Sequence, residues 1–492
     1  MLIRSRALAS VAMATLVAGI AAPAWAETLQ EALALAYRTN PTLLAQRASQ
    51  RSLDETIVQA RAGLRPRVDL SVGAAYSYAE TSGGGNSDSA TGNASVGLSQ
   101  TVYSGGRVGH GITAAEANIL AGREDLRGVE QQVLASVIQA YADVLRDMEI
   151  LRVRQDNITV LQRQLDESSA RFEVGEITRT DVAQSEARLA QSDADLANAR
   201  AQLSVSRAAY AAVVGQAPSD LSALPVLPGV PTDFDVALNV ALAENPGVRA
   251  ADYALQAAEA RVAAARAEYL PSARLTASYG GTSNDLHGFD LGENTSFQAG
   301  ASVSVPLFTG GLNRSRVSQA LEQANVAQIN GEGRRRQVLQ SVSNAYAQVI
   351  SARSALQAGQ EAVRAASVAA EGVRQEAQVG LRTTLDVLNQ ELELRSAQVA
   401  LASARRNEYV AQAQLLAAMG RLEGQDLDPT LDVYDAGANY ARVRNNGALP
   451  WDGVIEAFDR IAAPPVVPAN DAEDAPIDQQ LKSEIVRTAP DQ

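Results

Sequence analysis

The side chains able to do chemistry are few. The chain has no cysteine and two histidines, His110 and His287, and neither has another ligand nearby at metal-binding spacing. The missing cysteines exclude a disulfide framework, a zinc–thiolate site, an iron–sulfur cluster, a thiol nucleophile and a lipid anchor on an N-terminal Cys. Every cation except Lys482 is arginine, so a P-loop lysine, a Schiff-base lysine on the folded body and a polybasic nucleic-acid surface lack their raw material. The glycines of Gly106-x-x-Gly109-x-Gly111 lack a βαβ context and read as a bend before a helix. No Ser/His/Asp set or paired-carboxylate cleft stands out. What recurs is an acid at a fixed place: Val174-Gly175 followed by Asp181-Val182 returns 205 positions later as Val379-Gly380 and Asp386-Val387. An aspartate there is suited to cap a helix or begin its first turn. The reading is of a non-enzyme that needs no cofactor.

That recurrence belongs to a duplication. The same offset of 205 relates Asn40-Pro41 to Asn245-Pro246, Pro66 to Pro271, Tyr103-Ser104-Gly105-Gly106 to Phe308-Thr309-Gly310-Gly311, Ala140-Tyr141 to Ala345-Tyr346, and Gly215 to Gly420. The chain is two copies of one unit. Ahead of them, residues 1–26 carry Arg4 and Arg6, an apolar run and Ala24-Trp25-Ala26, the pattern of a secretory signal, with a retained membrane anchor as the alternative. The first copy is placed at 27–215, a Pro-rich linker at 216–232 and the second copy at 233–421. A periplasmic collar segment is assigned to 422–460 and an acidic, disordered tail to 461–492. The net charge of −14, from 42 basic and 56 acidic residues, points away from nucleic acid.

Each copy switches from helical to strand period and back. Residues 29–62 read as helix with Pro41 marking a break or a first turn, and Pro66 ends the run. Strands follow at about 67–80 and 92–103, and in the second copy at about 272–283 and 295–308. Val68, Leu70, Val72, Tyr76 and Tyr78 share one face while Asp69, Ser71, Gly73 and Ser77 share the other. Such strands match the ~9–11 residues of an outer-membrane barrel, and a soluble hairpin packed on a helix remains the alternative. Long helices are expected at about 109–173, 181–214, 314–378 and 386–419. Val182, Leu189, Leu196, Leu203 and Tyr210 form a heptad ladder, echoed by Val387, Leu394, Leu401 and Leu415 with Glu408 breaking the series. Four strands cannot close in hydrocarbon, so the protein must oligomerise to insert. Small polar inward faces favour a wet lumen and therefore at least a trimer.

This arrangement resembles the TolC family of outer-membrane channel-tunnel proteins. The resemblance covers about 29–421 and rests on the duplication, the Tyr103–Gly106 and Phe308–Gly311 junctions and the Val-Gly…Asp-Val turns. The segment from Leu431 to Tyr440 also resembles the tail of members that serve type I secretion. The implied fold is an α+β membrane protein: a duplicated β-hairpin plus long coiled-coil hairpin, whose homotrimer closes a twelve-stranded transmembrane barrel continued by a periplasmic helical barrel. The implied function is an exit duct, docked on a periplasmic adaptor and an inner-membrane ABC or RND-type transporter, for secreted proteins or small toxic molecules. The alternative is a periplasmic or surface coiled-coil protein without a pore.

In that family the periplasmic tip is closed by polar links between neighbouring coiled coils and narrowed by aspartate rings. By motif, Arg382 matches the linking arginine, Thr180 and Asp181 its first-copy partners, and Asp386 the outer ring. The second ring position is Asn389 and the place of a latch tyrosine is Ala377, so one acidic ring and a looser latch are implied. Val174, Gly175, Val379, Gly380 and Leu381 fall at the tip turns where an adaptor would dock.

Overall fold

The computed structural model describes residues 27–83, 85–283 and 294–468. The leader at 1–26, His287 and the tail from 469 onward lie outside the described residues. Three short helices open the chain: α1 (Leu29–Thr39), α2 (Pro41–Asp54) and α3 (Thr56–Arg61). Pro41 is the first residue of α2, where its missing N–H costs nothing, and the Asn40 side chain caps it by accepting from the Thr42 and Leu43 amides. Then come β1 (Arg67–Thr81), β2 (Gly85–Tyr103), α4 (Arg107–Glu173) and α5 (Arg179–Val214). The second copy runs α6 (Phe234–Glu244), α7 (Pro246–Ala267), β3 (Ser272–Ser283), β4 (Thr295–Ser304), α8 (Leu312–Gln378) and α9 (Thr384–Met419). Helices α10 (Gly424–Leu427), α11 (Ala436–Val443) and α12 (Asp452–Asp459) close the described chain.

The duplication governs length and packing together. Helices α4 and α8 each have 67 residues, and α5 and α9 each have 36. At 1.5 Å per residue the long helices reach about 100 Å. Near the sheet the wall is α2, α4, α7 and α8, and beyond the middle it is α5, α4, α9 and α8. Matching apolar positions fill two equivalent cores, such as Ala32, Val137 and Val144 in one and Ala237, Val342 and Val349 in the other. Asn40 and Asn245 each donate, over 2.9 Å, to the carbonyls of Val213 and Ala418, which are themselves equivalent.

The four strands form one antiparallel sheet in chain order, β1-β2-β3-β4. Rows such as Leu70, Val96, Tyr279 and Phe297 lie on one face, while Asp69, Gly97, Ser278 and Gln298 lie on the other. On the polar face Ser71 and Ser95 hydrogen-bond at 2.8 Å. Within the protomer, β1 and β4 are open edges.

Three expectations change. The first hairpin turn, read as Ser82 to Ser89, is shorter, because Thr81 already pairs with Gly85 and cross-strand bonds run through the polar segment. Strand β4 stops at Ser304 rather than 308, since Pro306 can donate no ladder hydrogen bond. The segment from 461, read as disordered, is seated at its beginning: the Ile461 carbonyl accepts from the Tyr103 hydroxyl at 2.9 Å. Ala463 packs so close to Gly106 that a Cβ there would collide with the Ala463 methyl group.

Candidate functional site: the coiled-coil tip

Both long helical hairpins turn by the same local chemistry. At the first tip, Gly175 adopts φ +81° and donates to the Phe172 carbonyl at 2.9 Å, while Glu176 N–H reaches the Arg171 carbonyl at 2.9 Å. At the second, Gly380 has φ +78°, with Gly380 N–H on Ala377 at 3.1 Å and Leu381 N–H on Glu376 at 2.9 Å. These paired bonds satisfy the last carbonyls of α4 and α8, and glycine meets the left-handed conformation without a Cβ penalty. Val174, Val379 and Leu381 are left exposed, about three-quarters open to solvent at 73%, 72% and 75%.

The returning helices begin in matching capping boxes. Thr178 N–H donates to Asp181 Oδ2 at 2.9 Å, and Thr383 N–H donates to Asp386 Oδ2 at 3.0 Å. The threonine hydroxyls add bonds of 2.8 Å to the same oxygens. These backbone and hydroxyl donors hold both carboxyls below the usual aspartate range, and Arg382 assists at Asp386. Thr180 is exposed on the first turn of α5.

Arg382 lies on its own hairpin. Its Nε donates to Glu376 Oε2 at 2.7 Å, an exposed pair that raises the guanidinium pKa further. The first tip carries the opposite polarity, with Arg171 on the outgoing helix donating to Glu176 in the turn at 2.9 Å. Asn389 joins the two hairpins by accepting from Arg188 Nη2 at 3.0 Å. Behind it, buried Glu391 is paired with Arg374 and lies 3.6 Å from Arg395. The single protomer thus brings Arg382 to Glu376 and Asn389 to Arg188, and ties Asp181 and Asp386 to their own threonines.

Sequence reasoning did not single out Glu376, Arg188, Thr178 or Thr383. The two threonines carry a readable signal, Thr-x-x-Asp at the start of a helix. Glu376 and Arg188 carry none, because their contacts depend on how the turns and hairpins face one another.

Farther along the chain, the segment after α9 packs against α1, α2 and α4. The Arg47 guanidinium lies between the rings of Tyr37 and Tyr434, 4.4 and 4.9 Å from their centres. Glu130 accepts from Gly424 N–H at 3.2 Å, and burial raises its pKa. His110 sits at the strand-to-helix bend, where burial lowers its pKa. Among the described residues no group of His, Cys, Asp or Glu could hold a metal ion, and no helix is long and apolar enough to cross a membrane.

Comparison with known proteins agrees with this architecture. The profile of the family described as "Outer membrane efflux protein" matches residues 32–216 and again 237–421, one match per copy. The chain is 34% identical over 431 residues to the outer membrane efflux protein BepC of Brucella suis, covering 88% of this chain and 92% of that one. It is 27% identical over 428 residues to the outer membrane protein TolC of Escherichia coli, covering 83% and 85%. Among solved structures, the open state of the Neisseria gonorrhoeae MtrE outer membrane channel superposes with a TM-score of 0.67 at 26% identity, over 80% of this chain and 89% of that one.

Proposed function

The chain belongs to the outer membrane efflux protein family, and from that membership we propose that three copies close one outer-membrane exit duct. It is an outer-membrane protein whose helical wall stands in the periplasm. The observation that carries the reading is the sheet: four strands, one apolar and one polar face, and two open edges. In hydrocarbon those edges must pair with another copy. Three copies give twelve strands, enough for a wet lumen, whereas eight would be filled by side chains. Four helices per protomer continue each sheet downward at both levels of the wall.

Family membership supports a cargo driven by an inner-membrane ABC or RND-type transporter through a periplasmic adaptor. The exposed Val174, Val379 and Leu381 at the two tip turns support those turns as the docking points. Protein cargo of the type I secretion class is favoured by the resemblance of Leu431–Tyr440 to secretion members. Small-molecule efflux is the second reading, favoured by the likeness to an efflux protein. For the gate, Asp386 of three protomers would make an acidic ring that repels anions and favours cations. Arg382, with Thr180 and Asp181 as its first-copy partners, would tie neighbouring coiled coils together in the closed state, exchanging Glu376 for a partner across the interface, and Asn389 would stand at the second, uncharged ring position.

Planar-bilayer recording of the detergent-purified protein tests this. Small cation-favouring steps, enlarged in Arg382→Ser, are expected. Oligomeric protein that stays silent in both forms would return the chain to the poreless coiled-coil reading. Equal steps in both forms would keep the pore and remove Arg382 from the gate.

A further inference from the structure

Helix α12 is amphipathic in the wrong sense for water. Its polar residues face the protein: Asp452 accepts from Arg65 Nε at 2.9 Å, and Glu456 lies 3.8 Å from Arg61. Asp459 is fully buried, accepting from the Ser104 and Gly109 backbone amides. Ile455, on the same side, packs on the cluster of Ile57, Leu64 and Val108. The other large apolar side chains point away. Trp451, Val454, Phe458 and Ile461, spaced by three, four and three, are 48%, 72%, 50% and 58% exposed. Residues so spaced form one stripe along a helix, and a helix at an aqueous surface turns such a stripe inward.

The stripe lies at the membrane end of the molecule. Phe458 meets the Tyr103 ring edge-on at 5.6 Å, and Tyr103 is the last residue of β2. A bulge between Thr101 and Tyr103 sets Tyr103 opposite Ala273, in the row that continues through Leu275, Ala277 and Tyr279. That row is the apolar face of the sheet, where Val68, Leu70 and Val72 are also exposed. The stripe therefore extends the lipid-facing band at its periplasmic border. Aromatic side chains favour that depth, and a short helix with an apolar outer face lies naturally in the plane of the leaflet.

We propose that the segment from Trp451 to Ile461 is an interfacial anchor, its apolar stripe seated in the periplasmic phospholipid leaflet beside the barrel. It rests on the barrel reading above. It would give the chain, which has no cysteine to acylate, a second hold on the bilayer and would fix the height of the collar. The stripe commits to lipid because it continues a lipid-facing surface. The competing occupant is the neighbouring copy, whose Leu307 and Phe308 are exposed just past β4.

In protein that begins at Glu27, Trp451 reports on this directly, because the one other tryptophan, Trp25, lies ahead of that residue. The mature protein is reconstituted in phosphatidylcholine vesicles with or without bromine on acyl carbons 6 and 7, and channel conductance is recorded from the same vesicles. Trp451 emission is expected to fall at least twofold in brominated vesicles and to resist acrylamide. In Val454→Asp the loss caused by bromine should shrink by half or more. Bromine-insensitive emission from conducting vesicles overturns the anchor while the barrel stands. Sensitivity to acrylamide would then mean water, and shielding from it would mean a neighbouring subunit. Undiminished quenching in Val454→Asp also overturns it, and vesicles that hold protein but never conduct overturn the barrel reading and the anchor together.

Discussion

Tyr210→Phe should loosen the segment around Glu27 by a calculable amount. Glu27 is the first described residue and is buried against the linker. Its carboxylate accepts from the Tyr210 hydroxyl at 2.5 Å, Gln216 Nε2 at 3.0 Å, and Ser219 N–H and hydroxyl at 3.2 and 3.1 Å. Its carbonyl accepts from the Tyr141 hydroxyl at 2.8 Å. Phenylalanine keeps the fully buried ring and opens no cavity, so the loss is one charge-assisted hydrogen bond, about 1.5–3 kcal/mol. For a unit of one repeat's size each kcal/mol moves melting by about 2–4 °C, giving a fall of roughly 3–12 °C at pH 7. Circular dichroism melts of the detergent-solubilised protein would measure it.

The pH dependence supplies a second check. Burial pushes the Glu27 carboxyl up, but the bonds from Tyr210, Ser219 and Gln216 outweigh it and leave the pKa lowered. A carboxyl lowered by folding stabilises fully above its unfolded pKa and loses that contribution as pH falls through the folded value. The gap between wild type and Tyr210→Phe should therefore narrow as pH drops below about 4. A variant melting within about 1 °C of wild type at pH 7, or a gap that widens in acid, would refute the reasoning.

Glycine replacements should separate by position. Gly420→Ala places a Cβ 2.7 Å from the Glu244 carbonyl oxygen and 2.8 Å from the Asn245 Cα at φ +80°, so backbone must move. Gly380→Ala at φ +78° meets nothing within 4 Å and costs only the left-handed penalty of about 1–2 kcal/mol, so its melt should stay well above that of Gly420→Ala. Asp386→Asn should move the reversal potential in a salt gradient toward zero, and Asp181→Asn should not, although both remove a matched capping carboxylate. Glu376→Gln weakens the pair that holds Arg382 on its own hairpin, so it should shift bilayer step size opposite to Arg382→Ser, and an identical shift would show that the gate depends on the pair itself. Because both capping carboxyls are lowered, hydrogen-exchange protection of the first turns of α5 and α9 should hold above about pH 4 and decline as the pH falls through the lowered values.

The candidate site was legible only where its chemistry is local. Thr383-x-x-Asp386 folds into a cap because both partners lie within one turn, and Gly380 ends α8 because no Cβ opposes its φ. For Arg382 and Asn389 the family pattern alone supplied an expectation, and their observed neighbours Glu376 and Arg188 could not be read from the sequence, being set by turn geometry and by the approach of two hairpins. The hairpin loop at Ser82 to Ser89 misled because serine and asparagine mark turns, while antiparallel pairing recruits the same residues when their backbone donors have partners across the strand.

From sequence alone came the repeat offset of 205, the parity of the strands and the long helices, because period, cap and glycine signals act between neighbours in the chain. Only tertiary structure decided what the first and last described segments touch. Glu27 is held by residues nearly 200 positions away, and Asp459 reaches back to the Ser104 and Gly109 amides across more than 340. No local preference points a helix's acids inward and its Trp451 and Phe458 outward. That orientation follows from a buried carboxylate finding free backbone N–H groups at the start of α4, a match that exists only once the sheet and helices are assembled.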